Sequence, residues 1–359
     1  MIENRILSLR QILRDEGVGA LLLWSMPNIR YVTGFTGSDA VVVVTAKSAF
    51  FLTDSRYVSQ ARQQVRVGEI REYKVKTDGV GSLLADLGCH RVGFEGEAVS
   101  VSIFNKLRSQ SADSLSWVPL DECFSRLRGI KASSELEFLE KAAGLHQEAL
   151  EEVLPRIRPG VTERDVAFAL EIALRRRGGE DRAFDFIVAS GARGALPHGV
   201  ATDKQLAAGE LVTIDFGTRI GGYYSDETVT LALGEVDSGL RRIYDCVLEA
   251  HDRAIEAIRS GVELKTIDAV AREHIAENGY GDYFGHGLGH GVGLQVHEFP
   301  TLSPRSRDRV EEGMVFTVEP GIYVPGLGGV RIEDMVVATA EGSRRLTGIS
   351  KEFRTLPLD

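Results

Sequence analysis

Gly209-Glu210-Leu211-Val212-Thr213-Ile214-Asp215 has a counterpart further along the chain, Gly313-Met314-Val315-Phe316-Thr317-Val318-Glu319. In both stretches an acid falls six residues after the glycine, at the end of an apolar run. A second echo precedes each of them. Arg158-Pro159-Gly160-Val161 opens onto a helical pattern that stops at Gly178, and Arg259-Ser260-Gly261-Val262 onto one that stops at Gly279. Two matches in the same order imply a duplicated α/β unit, each half reading helix, helix, then hairpin. A site between two related halves is the corollary.

The hairpins carry the acids. Val212, Ile214 and Phe216 alternate on one arm, Val229, Leu231 and Leu233 on the other, with Gly221-Gly222 at the turn. Folding between Ile220 and Gly221 sets Asp215 opposite Asp226, with Cβ atoms roughly 4.5–5.5 Å apart. Carboxylates at that distance repel unless protonated or bridged by cations. Metal pairs in hydrolases sit roughly 3.5–4 Å apart, which such a pair can span. Folding Met314 to Ala338 about Gly326 sets Glu319 opposite Glu333, with Arg331 on the same strand face as Glu333. Acids on exposed hairpins would need no partner. Val318-Glu319-Pro320 and Val330-Arg331-Ile332-Glu333 read instead as buried strand, where acids do.

Three of the eight histidines, His286, His290 and His297, fall in the Gly-rich stretch Gly285 to Glu298. Clustered imidazoles there point to ligands or proton carriers. His198 lies on a loop, in Leu196-Pro197-His198-Gly199, and reads equally as functional or structural. His90, His146, His251 and His274 have no chemical company in the sequence and read as structural or surface residues. A donor set of carboxylates with one imidazole suits hard ions such as Mn²⁺ better than thiolate-seeking zinc.

Outward from this core, 359 residues suit two domains. The net charge of -10 is spread along the chain, and no basic run is long enough for nucleic acid. Arg175-Arg176-Arg177 sits at a helix end, where cations suit the dipole. Cys89, Cys123 and Cys246 are too scattered for a disulfide framework or zinc site, which suits reduced thiols in the cytoplasm. The N-terminus is an amphipathic helix with Ile6, Leu9, Ile12 and Leu13 on one side, not a signal peptide. No apolar run is long enough to span a membrane.

Residues 1–128 alternate strands (Ala20 to Trp24, Ala40 to Val44, Ala49 to Leu52, Arg91 to Phe94) with helices (Arg56 to Val65, Val101 to Ser109), an α/β layer domain. Residues 129–359 form the second domain. Ser134-x-x-Glu137 reads as the capping box of a long helix ended by Pro159-Gly160, and Thr162 to Arg177 as the next helix.

Six motifs carry a resemblance. They are Thr213-x-Asp215-x-Gly217, Ser225-Asp226-x-Thr228, Gly285-His286-Gly287-x-Gly289-His290, Val296-His297-Glu298-x-Pro300, Thr317-x-Glu319-Pro320-Gly321-x-Tyr323 and Gly329-Val330-Arg331-Ile332-Glu333-Asp334. Together they resemble the pita-bread metallopeptidases of the aminopeptidase P and prolidase branch. The resemblance implies a creatinase-like N-terminal α/β domain and a pita-bread catalytic domain. It also implies two divalent metal ions, Mn²⁺ foremost with Co²⁺ or Zn²⁺ as alternatives, held by Asp215, Asp226, His290, Glu319 and Glu333. Asp226 and Glu333 would bridge the metals. His198 and His297 would steady the tetrahedral intermediate and move protons, Glu319 would shuttle the proton, and His286 and Arg331 would meet the substrate. Where the family often has Arg in its second motif this chain has Val229, and a local contact there is expected to differ.

The implied substrates are peptides with proline at the second position, and the implied assembly is a homodimer. Methionine aminopeptidases share the ligands but lack the usual counterparts of His286 and Arg331 and the large N-terminal domain. Metal-free creatinase-like hydrolases and non-catalytic binding modules should lack the acid set. Between Xaa-Pro aminopeptidase and Xaa-Pro dipeptidase (prolidase), Gly34 to Ser38 and Thr53 to Tyr57 resemble stretches of short bacterial aminopeptidases, which favours the aminopeptidase.

Overall fold

The computed structural model describes residues 2–358, and the backbone divides into two units, Met1–Arg128 and Gly129–Asp359. In the first, β1 (Ala20–Leu23), β2 (Val41–Thr45), β3 (Ala49–Thr53), β4 (Glu69–Glu72), β5 (Arg91–Phe94) and β6 (Ser116–Pro119) form one sheet of order β4-β3-β2-β1-β5-β6. Its central strands bury all of Ala20–Leu23 and the four valines Val41 to Val44, which is why they read as unbroken apolar runs rather than alternating ones. Helix α1 (Ile2–Asp15) buries Ile6, Leu9 and Leu13, one stripe at helical spacing. Also in this unit are α2 (Met26–Thr33), α3 (Val58–Gln64), α4 (Lys76–Asp86), α5 (Val101–Ser109) and α6 (Asp121–Arg126). Helix α2, absent from the sequence expectations, starts with Pro27 in its first turn and stops at Gly34 in a left-handed conformation.

The second unit repeats itself. Its first half holds α7 (Ser133–Val153), α8 (Glu163–Arg176), β7 (Ile187–Ser190), β8 (Leu211–Phe216), β9 (Arg219–Ile220), β10 (Tyr223–Tyr224) and β11 (Glu227–Leu233). The other half holds α9 (Ser238–Ala257), α10 (Leu264–Glu277), β12 (Gly289–Gly291), β13 (Glu298–Leu302), β14 (Val315–Val318), β15 (Gly321–Val324), β16 (Gly328–Arg331) and β17 (Asp334–Ala338). Strands β18 (Ser343–Arg345) and β19 (Thr355–Leu356) follow. Equivalent glycines make equivalent turns. Gly160 and Gly261 both have φ of 87°, and their amides donate to Leu206 O at 2.9 Å and Val310 O at 2.8 Å. That left-handed conformation disfavours any residue with a Cβ.

Two larger sheets result, of order β19-β11-β8-β7 and β13-β12-β14-β17-β18, beside the two-stranded ribbons β10-β9 and β15-β16. Helices α7 and α8 cover the first through Leu150, Val153, Val166 and Leu170, packed on Ile214, Val229 and Leu231. Helices α9 and α10 cover the second through Ile243, Val247, Ile267 and Ile275, packed on Phe316, Val318 and Val336. Each such side chain stabilises the fold by roughly 1.5–3 kcal/mol on burial. The remaining faces of the two hairpins meet each other. There Arg331 N donates to Thr230 Oγ1 at 3.3 Å and Thr230 Oγ1 to Arg331 O at 2.9 Å.

Three local expectations are corrected. The first hairpin pairs Thr228, not Asp226, with Asp215. Gly221 and Gly222 both take positive φ, forming a two-residue turn between Ile220 and Tyr223. The register therefore shifts by two residues, which keeps Asp226 on the face of Asp215. The N-cap of α7 is Ala132, and Glu135 rather than Glu137 accepts its amide, at 2.9 Å. That helix ends at Val153 and a short 3-10 turn follows, Leu154–Arg156, because Pro155 cannot continue it. In the second hairpin Val318 pairs with Asp334 and Gly321 with Arg331, the register expected from a turn about Gly326. Among the described residues, no helix is long and apolar enough to cross a membrane.

Candidate metal centre

At the seam between the two halves, one ligand atom from each of Asp226, His290 and Glu333 lies within 4.8 Å of the others. Glu319 Oε1 is 3.4 Å from His290 Nε2, and Asp226 Oδ2 is 3.7 Å from the same nitrogen. Asp215 lines the same cavity, of about 460 Å³, together with His198, His286, His297 and Arg331. All nine residues singled out from the sequence thus share one cavity wall.

Short-range chemistry aims three of these candidate ligands. Thr317 Oγ1 accepts from His290 N at 3.1 Å and donates to Glu319 Oε1 at 3.2 Å. The ladder slips between His290 and Gly291, a bulge that turns the imidazole inward. A side chain at Gly289 would meet Thr317 O at 2.0 Å, so the strand bearing His290 needs glycine to come this close. Thr228 crosses between hairpins, its O accepting from Glu333 N at 3.2 Å and its Oγ1 donating to Glu333 Oε2 at 2.6 Å.

Arg331 is almost fully buried and its fork is engaged by the protein. It donates to Asp215 Oδ2 at 2.6 Å, Thr228 Oγ1 at 3.1 Å, Tyr323 Oη at 3.0 Å and Pro197 O at 3.0 Å. One guanidinium thereby ties an acid of the first half to the loop that carries His198. His286 Nε2 lies 2.9 Å from Tyr323 Oη, which links it to the same guanidinium. His198 and His297 are exposed at the cavity mouth, and the His297 and His290 rings lie 4.1 Å apart.

Electrostatics show a surplus of negative charge. Burial, then Glu333, Asp215 and Glu319, raise the proton affinity of Asp226 well above the ordinary carboxylate range. Burial, then Glu319 and Asp215, do the same to Glu333. Glu319 is raised chiefly by burial, against the pull of His286 and Arg331. Burial pushes His290 and His286 down, and burial and then His290 push His297 down to about 4. Among the described residues, Asp215 Oδ1 and Asp226 Oδ1 are buried without a hydrogen-bond partner. Orphaned carboxylate oxygens amid crowded negative charge are what a divalent cation would satisfy. All four carboxylates offer hard oxygen donors, so the residues present fit such ions.

Several contributors had no signal of their own in the sequence. Asp268 accepts from Leu288 N at 3.0 Å and pairs with Arg272, whose guanidinium donates to Phe284 O and His286 O. Together they hold the Gly-rich segment in place. His146 and His251, expected to lack chemical company, are instead buried beside Glu227 and Asp334. Val229 is buried opposite Ile214 and packs into the apolar core.

Residues 137–340 match metallopeptidase family M24, and residues 5–130 match the creatinase/prolidase N-terminal domain. An Xaa-Pro dipeptidase from Bacillus anthracis superposes with a TM-score of 0.96 at 41% identity, covering 99% of this chain and 100% of that one. An Xaa-Pro dipeptidase of Pyrococcus furiosus is 37% identical over 354 residues, 98% of this chain and 100% of that one. An X-Pro aminopeptidase from Thermotoga maritima superposes with a TM-score of 0.88 at 38% identity, covering 99% of each chain.

Proposed function

The chain belongs to metallopeptidase family M24, and on that premise we propose that this metallo-exopeptidase is an Xaa-Pro dipeptidase using Mn²⁺. The observation that carries the choice of substrate is full-length similarity to Xaa-Pro dipeptidases from two sources. The two N-terminal stretches that favoured the aminopeptidase do not discriminate. Phe35 is fully buried against Phe51 and Tyr57, and Ser38 Oγ bonds Tyr57 Oη at 2.6 Å. They pack on each other within the first unit.

Asp215, Asp226, His290, Glu319 and Glu333 would hold the ions. Bound there, divalent cations would supply an activated water and polarise the scissile carbonyl. The protein supplies the rest. His297 and His198 offer N–H groups at the cavity mouth to the developing oxyanion. Glu319, steadied by Thr317, would carry a proton from water to the leaving nitrogen. A proline amide has no N–H to satisfy. The apolar wall of Phe184, Ile187, Val200 and Val296 suits that ring by shape. Arg331 and His286, joined through Tyr323, would meet the substrate in the same cavity. A cavity of about 460 Å³ suits a small peptide. A cytoplasmic location, supported by three free cysteines, and a homodimer complete the proposal.

The test compares an Xaa-Pro dipeptide with an Xaa-Pro-Yaa tripeptide in Mn²⁺, before and after chelation. Rapid cleavage of the dipeptide alone, lost on chelation, is expected. Comparable cleavage of the tripeptide would reinstate the aminopeptidase.

A further inference from the structure

On the reverse face of the ligand-bearing strands lies a second layer of ionisable groups that the chemistry above does not use. Each half places a buried acid directly after a ligand: Glu227 after Asp226, and Asp334 after Glu333, with exposures of 0% and 1%. Each acid faces a buried imidazole from the first helix of its own half. His146 of α7 has Nδ1 2.8 Å from Glu227 Oε2 and Nε2 2.7 Å from Ser225 Oγ. His251 of α9 has Nε2 3.3 Å from Asp334 Oδ2. Ligand, acid and helix-borne histidine therefore recur as a set in both halves.

One cation stands between the two sets, and it has no repeat partner. Lys351 Nζ lies 2.5 Å from Glu227 Oε1 and 3.3 Å from Asp334 Oδ1, with its side chain 3% exposed. Its backbone is pinned as well, because buried Tyr244 donates to Lys351 O at 3.0 Å. Ile349 N reaches Glu227 Oε1 at 3.2 Å, and Thr347 Oγ1 donates to Asp334 Oδ1 at 2.6 Å. The final segment of the chain thus ties the two hairpins together from behind.

The consequence for the centre follows from backbone geometry. Neighbouring residues on a strand point to opposite faces and their Cα atoms are about 3.8 Å apart. Any change in the separation of Glu227 and Asp334 is passed on to Asp226 and Glu333 through a single peptide each. Without the ammonium, two acids would be buried across from one another with only histidines and Arg345 to offset them, and repulsion would spread the hairpins. We propose that Lys351 is a positioning residue that sets the spacing of Asp226 and Glu333, and through it the affinity of the centre for a pair of cations. This rests on the reading that those two acids hold cations together.

The experiment titrates metal-free protein with Mn²⁺ by calorimetry, alongside far-UV circular dichroism and thermal melting without metal. Wild type is expected to bind two ions per chain. K351M is expected to keep its secondary structure and bind at least one ion roughly 10–100-fold more weakly, the usual effect of losing an outer partner of a ligand. K351R, which restores the cation, is expected to recover most of that loss. Should K351M fail to fold, E227Q decides: it cuts one arm of the clasp while keeping its shape, and roughly tenfold weaker binding is expected. Wild-type affinity for both ions in K351M, or in E227Q if K351M does not fold, would overturn the proposal and leave the metal centre intact. A wild type that binds no Mn²⁺ would overturn the centre and the clasp together, before any variant is compared.

Discussion

Glu163 tests whether the loop carrying His198 is held from below. It is fully buried at the start of α8. Its Oε1 accepts from Ser190 N and Ser190 Oγ, both at 2.9 Å. Its Oε2 accepts from Thr202 N at 3.2 Å, from Thr202 Oγ1 at 2.8 Å and from Arg193 Nη1. His198 lies between Arg193 and Thr202, so the carboxylate clamps both ends of its loop. Each hydrogen bond to a charged group contributes about 1.5–3 kcal/mol, but bonds that share one acceptor do not add. Glu163→Ala strands a half-buried guanidinium and two backbone amides, and should cost about 3–5 kcal/mol. Glu163→Gln keeps the shape but aims an amide at donors, and should cost about 2 kcal/mol. Both tryptophans, Trp24 and Trp117, lie in the first unit. Urea unfolding is therefore followed by circular dichroism, not fluorescence. The dipeptide kcat/KM should fall in both variants while Mn²⁺ affinity holds, because Glu163 touches no ligand. A stability loss under about 0.5 kcal/mol in Glu163→Ala, the range of an ordinary surface change, would refute the clamp. Equal losses of metal affinity and activity would show that the loop is not what Glu163 serves.

Asp226→Ala removes one orphaned carboxylate from a crowded set. It should abolish binding of one or both cations, yet leave the metal-free melting temperature unlowered; a metal-free destabilisation of several degrees would contradict the repulsion argument. Chelation of wild type should lower its melting temperature, since cations at 100 times their Kd add about 2.7 kcal/mol; identical melts with and without chelator would count against a centre formed only in the folded state. Val229→Arg puts a charge into the core beside Ile214 and should cost more than about 3 kcal/mol, with no rescue by Mn²⁺; a soluble, active variant would show that the strand can turn that side chain out. Lys351 supplies the pH prediction. Burial works to lower its pKa, but Glu227 and Asp334 outweigh it, and the result is raised above the ordinary 10.5. A raised folded-state value means the stabilisation is complete below 10.5 and is lost as pH climbs through that higher value. Alkaline melts should therefore fall more steeply for wild type than for K351M, and parallel curves would remove the ion pair from the account.

Most of the centre was legible in the residues because its information is local. An acid at a fixed offset from a turn glycine, and glycines flanking a histidine, are constraints between near neighbours, and the duplication wrote them twice. The register of the second hairpin followed from folding it about the turn glycine Gly326. Turn chemistry limited the first: two glycines with positive φ moved the pairing by two residues, a choice made by backbone twist that alternation of apolar residues does not encode. Val229 likewise needed coordinates, because its strand parity alone does not tell which neighbour fills the space behind it.

What only the tertiary structure decided is the layer behind and around the ligands. Glu163 meets Ser190 and Thr202, Asp268 meets Leu288, and Lys351 meets Asp334 and, across more than a hundred residues of chain, Glu227. None of these side chains differs in sequence from a solvated surface residue. Which charge must be buried, and beside what, is set by how packed elements leave room and by the cost of an unpaired charge there. Sequence alone determined that four acids and an imidazole would be brought to one seam; the fold determined what keeps them at their spacing.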